Sequence, residues 1–252
     1  MLKQERHEKI LLLLDQNDYL TVTEISKLLN VSGMTIRRDI SEMAEYNKLV
    51  RVYGGAQKLN IKEKEYSTSE KIDKHVEAKK YIGKVMNSLI SNNSTIYLGA
   101  GTTIYYAVAE IKKENLKIVT NSLIAFNYLI ENTEYEVILT GGEYNKITEE
   151  FIGEFAERTF ENLNIDIAFA ATNGIYHDNI TTSNPQEGSI QRKAFEQSKV
   201  KVIVADSSKL NVSDVYTFYK LSDADIMITD NHIPQQVKDY YSEFINIIKE
   251  VI

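Results

Sequence analysis

Thr21–Asp39, TVTEISKLLNVSGMTIRRD, is the stretch from which the rest of this chain can be read. Thr21 and Glu24 have the spacing of a capping box, which predicts a helix from Val22. Ile25, Leu28 and Leu29 give that helix one apolar face. Asn30-Val31 breaks it, and Ser32 stands where its hydroxyl can cap a second helix. There Ile36, Ile40 and Met43 recur at i, i+4 and i+7 and face inward, which leaves Thr35, Arg37, Arg38 and Ser41 outside. Two short helices about a tight turn, with polar and guanidinium groups early in the second, form the geometry that enters a DNA major groove. Arginine serves there both as a bidentate partner of guanine and as a clamp on phosphate. Taken alone, the same features also describe a capped helix pair with a solvated arginine face.

The next residues favour the DNA reading. Lys48–Ala56, KLVRVYGGA, alternates apolar and polar residues with strand period and runs into two glycines. A hairpin after a recognition helix is a wing, from which Lys48 and Arg51 can reach phosphates.

Composition bounds the rest. A chain of 252 residues with 43% hydrophobic content holds one large or two ordinary domains. It has no run of 18 apolar residues, hence no predicted membrane helix. The N-terminal segment reads as an amphipathic helix and not as a signal peptide. The absence of cysteine excludes disulfides and thiolate metal sites, and the expected compartment is the cytoplasm. The net charge is −7. Residues 1–60 carry nine Lys/Arg against eight Asp/Glu, a net of +1, so the remainder carries −8. A near-neutral head must bind DNA through a few placed cations, and two or more heads must act together. Leu59–His75, LNIKEKEYSTSEKIDKH, is charge-rich with little apolar periodicity and reads as a mobile or partly helical connector. A helix is predicted from Val76.

Beyond it, strands and helices alternate. Strands are predicted at 95–98, 116–120, 135–140, 165–171, 199–205 and 225–229, with helices after the first two: a parallel α/β pattern. Ligands in such sheets sit beyond the carboxyl ends of the strands. That is where Gly99-Ala-Gly-Thr-Thr103, Asn121-Ser122, Gly141-Gly142 and Asp206-Ser-Ser-Lys209 fall. In the first loop, glycines let the backbone curl toward an anion and two threonine hydroxyls can donate to it. No lysine follows as in a Walker loop, and dinucleotide glycine spacing is lacking, so a small-molecule monophosphate fits better than a nucleotide. Asn121-Ser122 also fits a helix cap, Gly141-Gly142 a tight turn, and Asp206 with Lys209 a surface ion pair. If those two face a pocket, Lys209 holds a charge or a hydroxyl and Asp206 a hydroxyl. His7, His75, His177 and His232 have no ligand spacing, so neither metal nor cofactor is expected, and no nucleophile-elbow context is present.

Through Val31-Ser32, Met34–Asp39 and Gly54-Gly55-Ala56, the chain resembles the DeoR family of bacterial transcriptional regulators. The resemblance continues through Gly101–Thr103, Thr120–Ser122, Gly141-Gly142, Thr181-Thr182 and Asp206–Lys209, and covers nearly the whole chain. It is greatest to the sugar-catabolism repressors. It implies an α/β protein: a winged helix-turn-helix over 1–57, a linker over 58–75, and over 76–252 a parallel-sheet sensing and oligomerisation domain resembling ribose-5-phosphate isomerase. Gly33, Tyr53 and Asn179 depart from the family pattern, and Lys146 stands where many relatives carry arginine.

The resulting expectation is a non-enzymatic repressor of a sugar-utilisation operon. It is a homo-oligomer (dimer or tetramer) whose partners are double-stranded operator DNA and a phosphorylated sugar. Thr21, Ser32, Met34, Thr35, Arg37, Arg38, Ser41, Lys48 and Arg51 are expected at DNA. Gly99, Gly101, Thr102, Thr103, Asn121, Ser122, Gly141, Gly142, Lys146, Thr182, Asp206 and Lys209 are expected at the ligand. The alternative is a sugar-phosphate isomerase-like enzyme carrying a DNA-binding head, which would need a carboxylate base over the sugar carbons.

Overall fold

The computed structural model describes residues 1–17, 19–45, 48–58, 60–61 and 66–251, and the chain forms two compact units, Met1–Asn60 and Ile61–Ile252. In the first, Val22–Leu29 is a helix whose N-cap, Thr21, forms the full reciprocal box with Glu24. Asn30 ends it in the left-handed conformation, its N–H donating to Lys27 and Ser26 carbonyls. Gly33–Glu45 is the second helix. Its Ile36, Ile40 and Met43 are buried against Ile10 and Leu14 of the Lys3–Asn17 helix and against Ile25. Leu28 is an exception to the expected face, being 59% exposed. Val22, Ile25 and, in part, Leu29 serve that helix's inner side, because an eight-residue helix on a small core has room for a narrow stripe.

The wing is a hairpin of Val50–Val52 and Gly55–Gln57, extended by Tyr19–Thr21 into a three-stranded antiparallel sheet. Gly55 is required by that third strand. A Cβ there would lie 2.3 Å from the Leu20 carbonyl oxygen.

The second unit is built on a seven-stranded parallel sheet. Across the sheet its strands run Asn246–Ile248, Ile226–Ile228, Ser198–Val204, Ile165–Ala171, Thr95–Leu98, Lys117–Thr120 and Glu136–Leu139. Successive side chains point to opposite faces, and both faces are covered. Ile96, Leu98, Ile118, Ile167 and Phe169 enter one core, while Tyr97, Val119, Ala168 and Ala170 enter the other. The strand order reverses between Thr95–Leu98 and Ile165–Ala171, which are parallel neighbours. That reversal opens a crevice at their carboxyl ends. Three features here were not expected from sequence: the edge strand Asn246–Ile248, the Glu143–Asn145/Glu150–Ile152 hairpin, and a small sheet of Gly174–Tyr176, Asn179–Thr182 and Tyr216–Lys220.

The connector also differs from expectation. Leu59 and residues 62–65 lie outside the described residues. Ser67 caps a short helix, Thr68–Ile72, in a second capping box with Glu70. Thr68 is buried, and its N–H donates to the Ile147 carbonyl. The later half of the connector is therefore packed structure; charge density concealed a capped turn whose apolar contacts are too few to show periodicity. No helix among the described residues is long and apolar enough to cross a membrane.

Candidate functional site

In the head, the second helix holds Ile36 and Ile40 inward and so turns Met34, Arg37 and Arg38 outward, Met34 being 80% exposed. Ser32 Oγ accepts the Thr35 N–H at 3.3 Å and lies 2.9 Å from Thr35 Oγ1. Ser41 Oγ donates to the Arg37 carbonyl and accepts from Arg51 Nη1 at 3.0 Å. The hairpin arginine is thereby tied to the exposed side of the recognition helix. Lys48 is exposed, and its N–H donates to the Met43 carbonyl. The side chain of Thr21 is used within the capping box, accepting from Glu24 N–H and donating to Glu24 Oε2. Tyr53, at the hairpin tip, is 84% exposed. Beneath this surface Asp39 accepts from Arg6 Nε at 2.5 Å, Arg6 Nη2 at 2.9 Å and faces His7 Nε2 at 3.2 Å.

In the second unit, a pocket of about 580 Å³, including its mouth, opens in the crevice. Gly101, Thr102 and Thr103 line it, as do Ala171, Thr172 and Asn173 from the neighbouring strand end. Gly101 has φ +123°, a conformation that side-chain-bearing residues rarely adopt, and caps the Thr102–Val108 helix without a side-chain hydrogen bond. Lys209 enters at the end of a single 3-10 turn, and Thr182 enters from the small sheet. Five expected ligand residues thus share one cavity: Gly101, Thr102, Thr103, Thr182 and Lys209.

The other expected residues lie off the pocket wall, each for a local reason. Gly99 lets the strand pass close to its neighbour, since a Cβ would lie 3.2 Å from the Phe169 carbonyl oxygen. Ser122 caps the Leu123–Asn132 helix through Ala125 N–H. Gly141 and Gly142 make a turn with φ +65° and +105°. At Gly142 a Cβ would lie 2.7 Å from the Ile152 carbonyl oxygen. Lys146 is exposed. Asp206 is buried and caps the turn that presents Lys209, accepting the Ser208 N–H and hydroxyl. A carboxylate at the N-cap of a short turn finds its backbone donor two residues on.

Asn121 supports the pocket from behind. Its amide donates to Glu150 Oε2 at 2.8 Å, its Oδ1 accepts from Tyr97, and its carbonyl accepts the Phe151 N–H. These bonds hold the hairpin strand so that Glu150 faces the cavity.

Sequence reasoning missed the most charged part of the wall: Lys71, Glu150 and Glu187, with Thr68, Thr148 and Gln191. Glu187 and Gln191 share a face of the Pro185–Glu196 helix, one turn apart. Glu187 Oε1 accepts from Asn145 and Thr148, and Oε2 from Thr182. Burial raises the pKa of Glu150 against the opposing hydrogen bonds of Thr148, Glu187 and Asn121. With two carboxyls this close and both buried, the pair retains a proton to a higher pH than a lone glutamate. Lys79, 3% exposed, donates to the Lys71 carbonyl at 2.8 Å, and burial brings its pKa down to about 8. A polar i, i+4 pair on a helix following Asn184-Pro185 was the available sequence signal for Glu187 and Gln191.

Comparison with known proteins agrees with this division. Residues 6–62 match the family model for the DeoR-like helix-turn-helix domain, and residues 74–231 that for the DeoR C terminal sensor domain. The chain is 36% identical over 251 residues to the lactose phosphotransferase system repressor of Streptococcus mutans, covering 98% of this chain and 100% of that one. Identity to the Staphylococcus epidermidis protein of the same name is 34%, with the same coverage. An uncharacterized HTH-type transcriptional regulator of Haemophilus influenzae is 31% identical over 96% of this chain and 95% of its own. Among solved structures, ribose 5-phosphate isomerase from Plasmodium falciparum aligns at 18% identity with a TM-score of 0.40, covering 54% of this chain and about half (53%) of that one. A full-length match to curated repressors, together with both domain models, means that the chain belongs to the DeoR family of transcriptional regulators.

Proposed function

We propose that this protein represses a sugar-utilisation operon and that a phosphorylated sugar, bound in the pocket of the second unit, controls its hold on the operator. The observation that carries the effector reading is the convergence of the Gly101–Thr103 loop with Lys71 and Lys209 in one cavity. Backbone N–H groups of a glycine-opened loop, two hydroxyls and two ammonium groups are what a phosphate dianion needs. The relatives named as lactose phosphotransferase system repressors support a sugar-utilisation operon as the target.

Arg37 and Arg38 supply affinity, Thr35 and Met34 approach base edges, and Ser32, Ser41, Lys48 and Arg51 meet the backbone. Thr21 orients the first helix through its capping box. The near-neutral head requires several copies on one operator, so the working form is a homo-oligomer with paired half-sites. The effector acts through a coupling free energy, changing the joint affinity of the heads. An operator titration on the full chain, with and without a panel of sugar phosphates, tests this reading. A phosphosugar that shifts operator affinity supports it, and no shift with any member refutes it.

One observation favours a second reading. Glu150 and Glu187 are buried carboxyls in the wall of the same pocket, which is where an isomerase would keep its base. Against it, both oxygens of Glu187 already accept side-chain hydrogen bonds, and Glu150 is held by Asn121. We therefore assign these groups to binding. Aldose–ketose interconversion of pentose or hexose phosphates by the purified protein would reverse that assignment.

A further inference from the structure

The pocket wall carries two kinds of group, with Lys71 near enough to Glu150 to favour its charged form. The Gly101–Thr103 loop, Lys71 and Lys209 offer hydrogen-bond donors and positive charge. The hairpin strand and the Pro185–Glu196 helix offer Glu150, Glu187 and Gln191, which present carboxyl and carbonyl oxygens. All three are buried, being 3%, 4% and 6% exposed.

Gln191 carries an independent sign of a ligand. Its Oε1 is fully buried and has no hydrogen-bond partner among the described residues. An unpaired amide oxygen at a cavity wall is costly unless something that enters the cavity donates to it. The donor must be a hydroxyl or an N–H group, because an anion has only lone pairs to offer. The two glutamates impose the same condition. They stand side by side, and the surrounding Thr148, Thr182, Asn145 and Asn121 donors stabilise negative charge already present. A second anionic group brought to this wall would meet that charge in a water-poor setting.

We propose that Glu150, Glu187 and Gln191 select the tail of the effector, accepting a neutral, hydroxyl-bearing chain and rejecting a second anionic group. The effector is then a sugar monophosphate, and sugar bisphosphates and phosphorylated sugar acids are excluded. This rests on the reading of the pocket as a phosphosugar site.

Calorimetry on the full chain tests it, with hexose 6-phosphates, the matching 1,6-bisphosphates, 6-phosphogluconate, free hexoses and inorganic phosphate as probes. Lys209→Ala serves as the control that binding is in this pocket. The expected result is that at least one monophosphate binds ten times or more tightly than its bisphosphate and than 6-phosphogluconate. Gln191→Leu, close in volume but without the carbonyl, should weaken monophosphate binding about tenfold or more and inorganic phosphate less than twofold. Glu187→Gln, which removes charge and keeps shape, should narrow the gap between monophosphate and bisphosphate about tenfold. A bisphosphate that binds as tightly as the monophosphate, with Lys209→Ala weakening both, overturns this proposal and leaves the phosphosugar pocket standing. Binding of no phosphorylated probe by the wild-type chain overturns both.

Discussion

Asp39 anchors the recognition helix from beneath, and its removal gives a sharp test of how the head is held. Its side chain is 3% exposed and that of Arg6 12% exposed, and the two form a two-pronged ion pair between the Gly33–Glu45 and Lys3–Asn17 helices. Removing one partner of a fully buried pair costs about 3–5 kcal/mol, an upper bound here because the Arg6 guanidinium is only partly buried. A head of this size has only about 3–9 kcal/mol in total. Asp39→Ala should therefore unfold a large part of the heads at 37 °C and abolish operator binding. Effector binding by the second unit should persist. The measurement is amide hydrogen exchange across residues 33–43 in the full chain, alongside operator titration. Replacing both partners, Arg6→Leu with Asp39→Leu, should recover most of the protection lost in Asp39→Ala, because no charge is then stranded. The pH dependence has a defined sign. Burial pulls the Asp39 pKa up, but the hydrogen bonds from Arg6 and His7 outweigh it and hold the pKa below the usual 3.8. The contribution is complete above the unfolded pKa and is lost as pH falls through the folded one. The double-leucine variant should lack that acid transition. Loss of less than about 0.5 kcal/mol in Asp39→Ala, or a double variant no more protected than the single one, would refute the account.

Four further outcomes are expected. Arg38→Ala should weaken operator binding by about 1–3 kcal/mol if the arginine forks onto a base, with the salt dependence checked in parallel. Gly101→Asp should leave effector-free DNA binding intact and abolish the response to a phosphosugar, since a carboxylate would replace the anion in a loop at φ +123°. A fragment beginning at residue 66 should bind effector, whereas one beginning at 76 should bind it far more weakly because it lacks Thr68 and Lys71 of the wall. Lys79→Met should stabilise the second unit at pH 7. Lowering the lysine pKa from 10.5 to about 8 corresponds to about 3 kcal/mol at most, offset by the lost bond to the Lys71 carbonyl. Because the folded pKa is depressed, that penalty is full below pH 8 and fades toward pH 10.5, so the two melting curves should converge there.

What the sequence by itself determined was local or periodic. The Thr21–Glu24 capping box, the breaks at Asn30 and Gly54, the inward triplet Ile36, Ile40 and Met43, and six of the seven parallel strands depend on neighbours within a few residues. The phosphate-loop candidate belongs with them, because Gly101, Thr102 and Thr103 are adjacent in the chain and end a strand. Tertiary structure decided the rest. Gly142, Ser122 and Asp206 look like ligand residues by position, yet their surroundings use them for a close approach, a cap and a turn. Lys71, Glu150, Glu187 and Gln191 are scattered over 121 positions and carry no shared motif. They meet only because the strand order reverses beside Thr95–Leu98 and because Asn121 fastens the hairpin across that opening. A cavity is a property of which strands become neighbours, and that choice is made by long-range burial of both sheet faces, to which no short window of sequence has access.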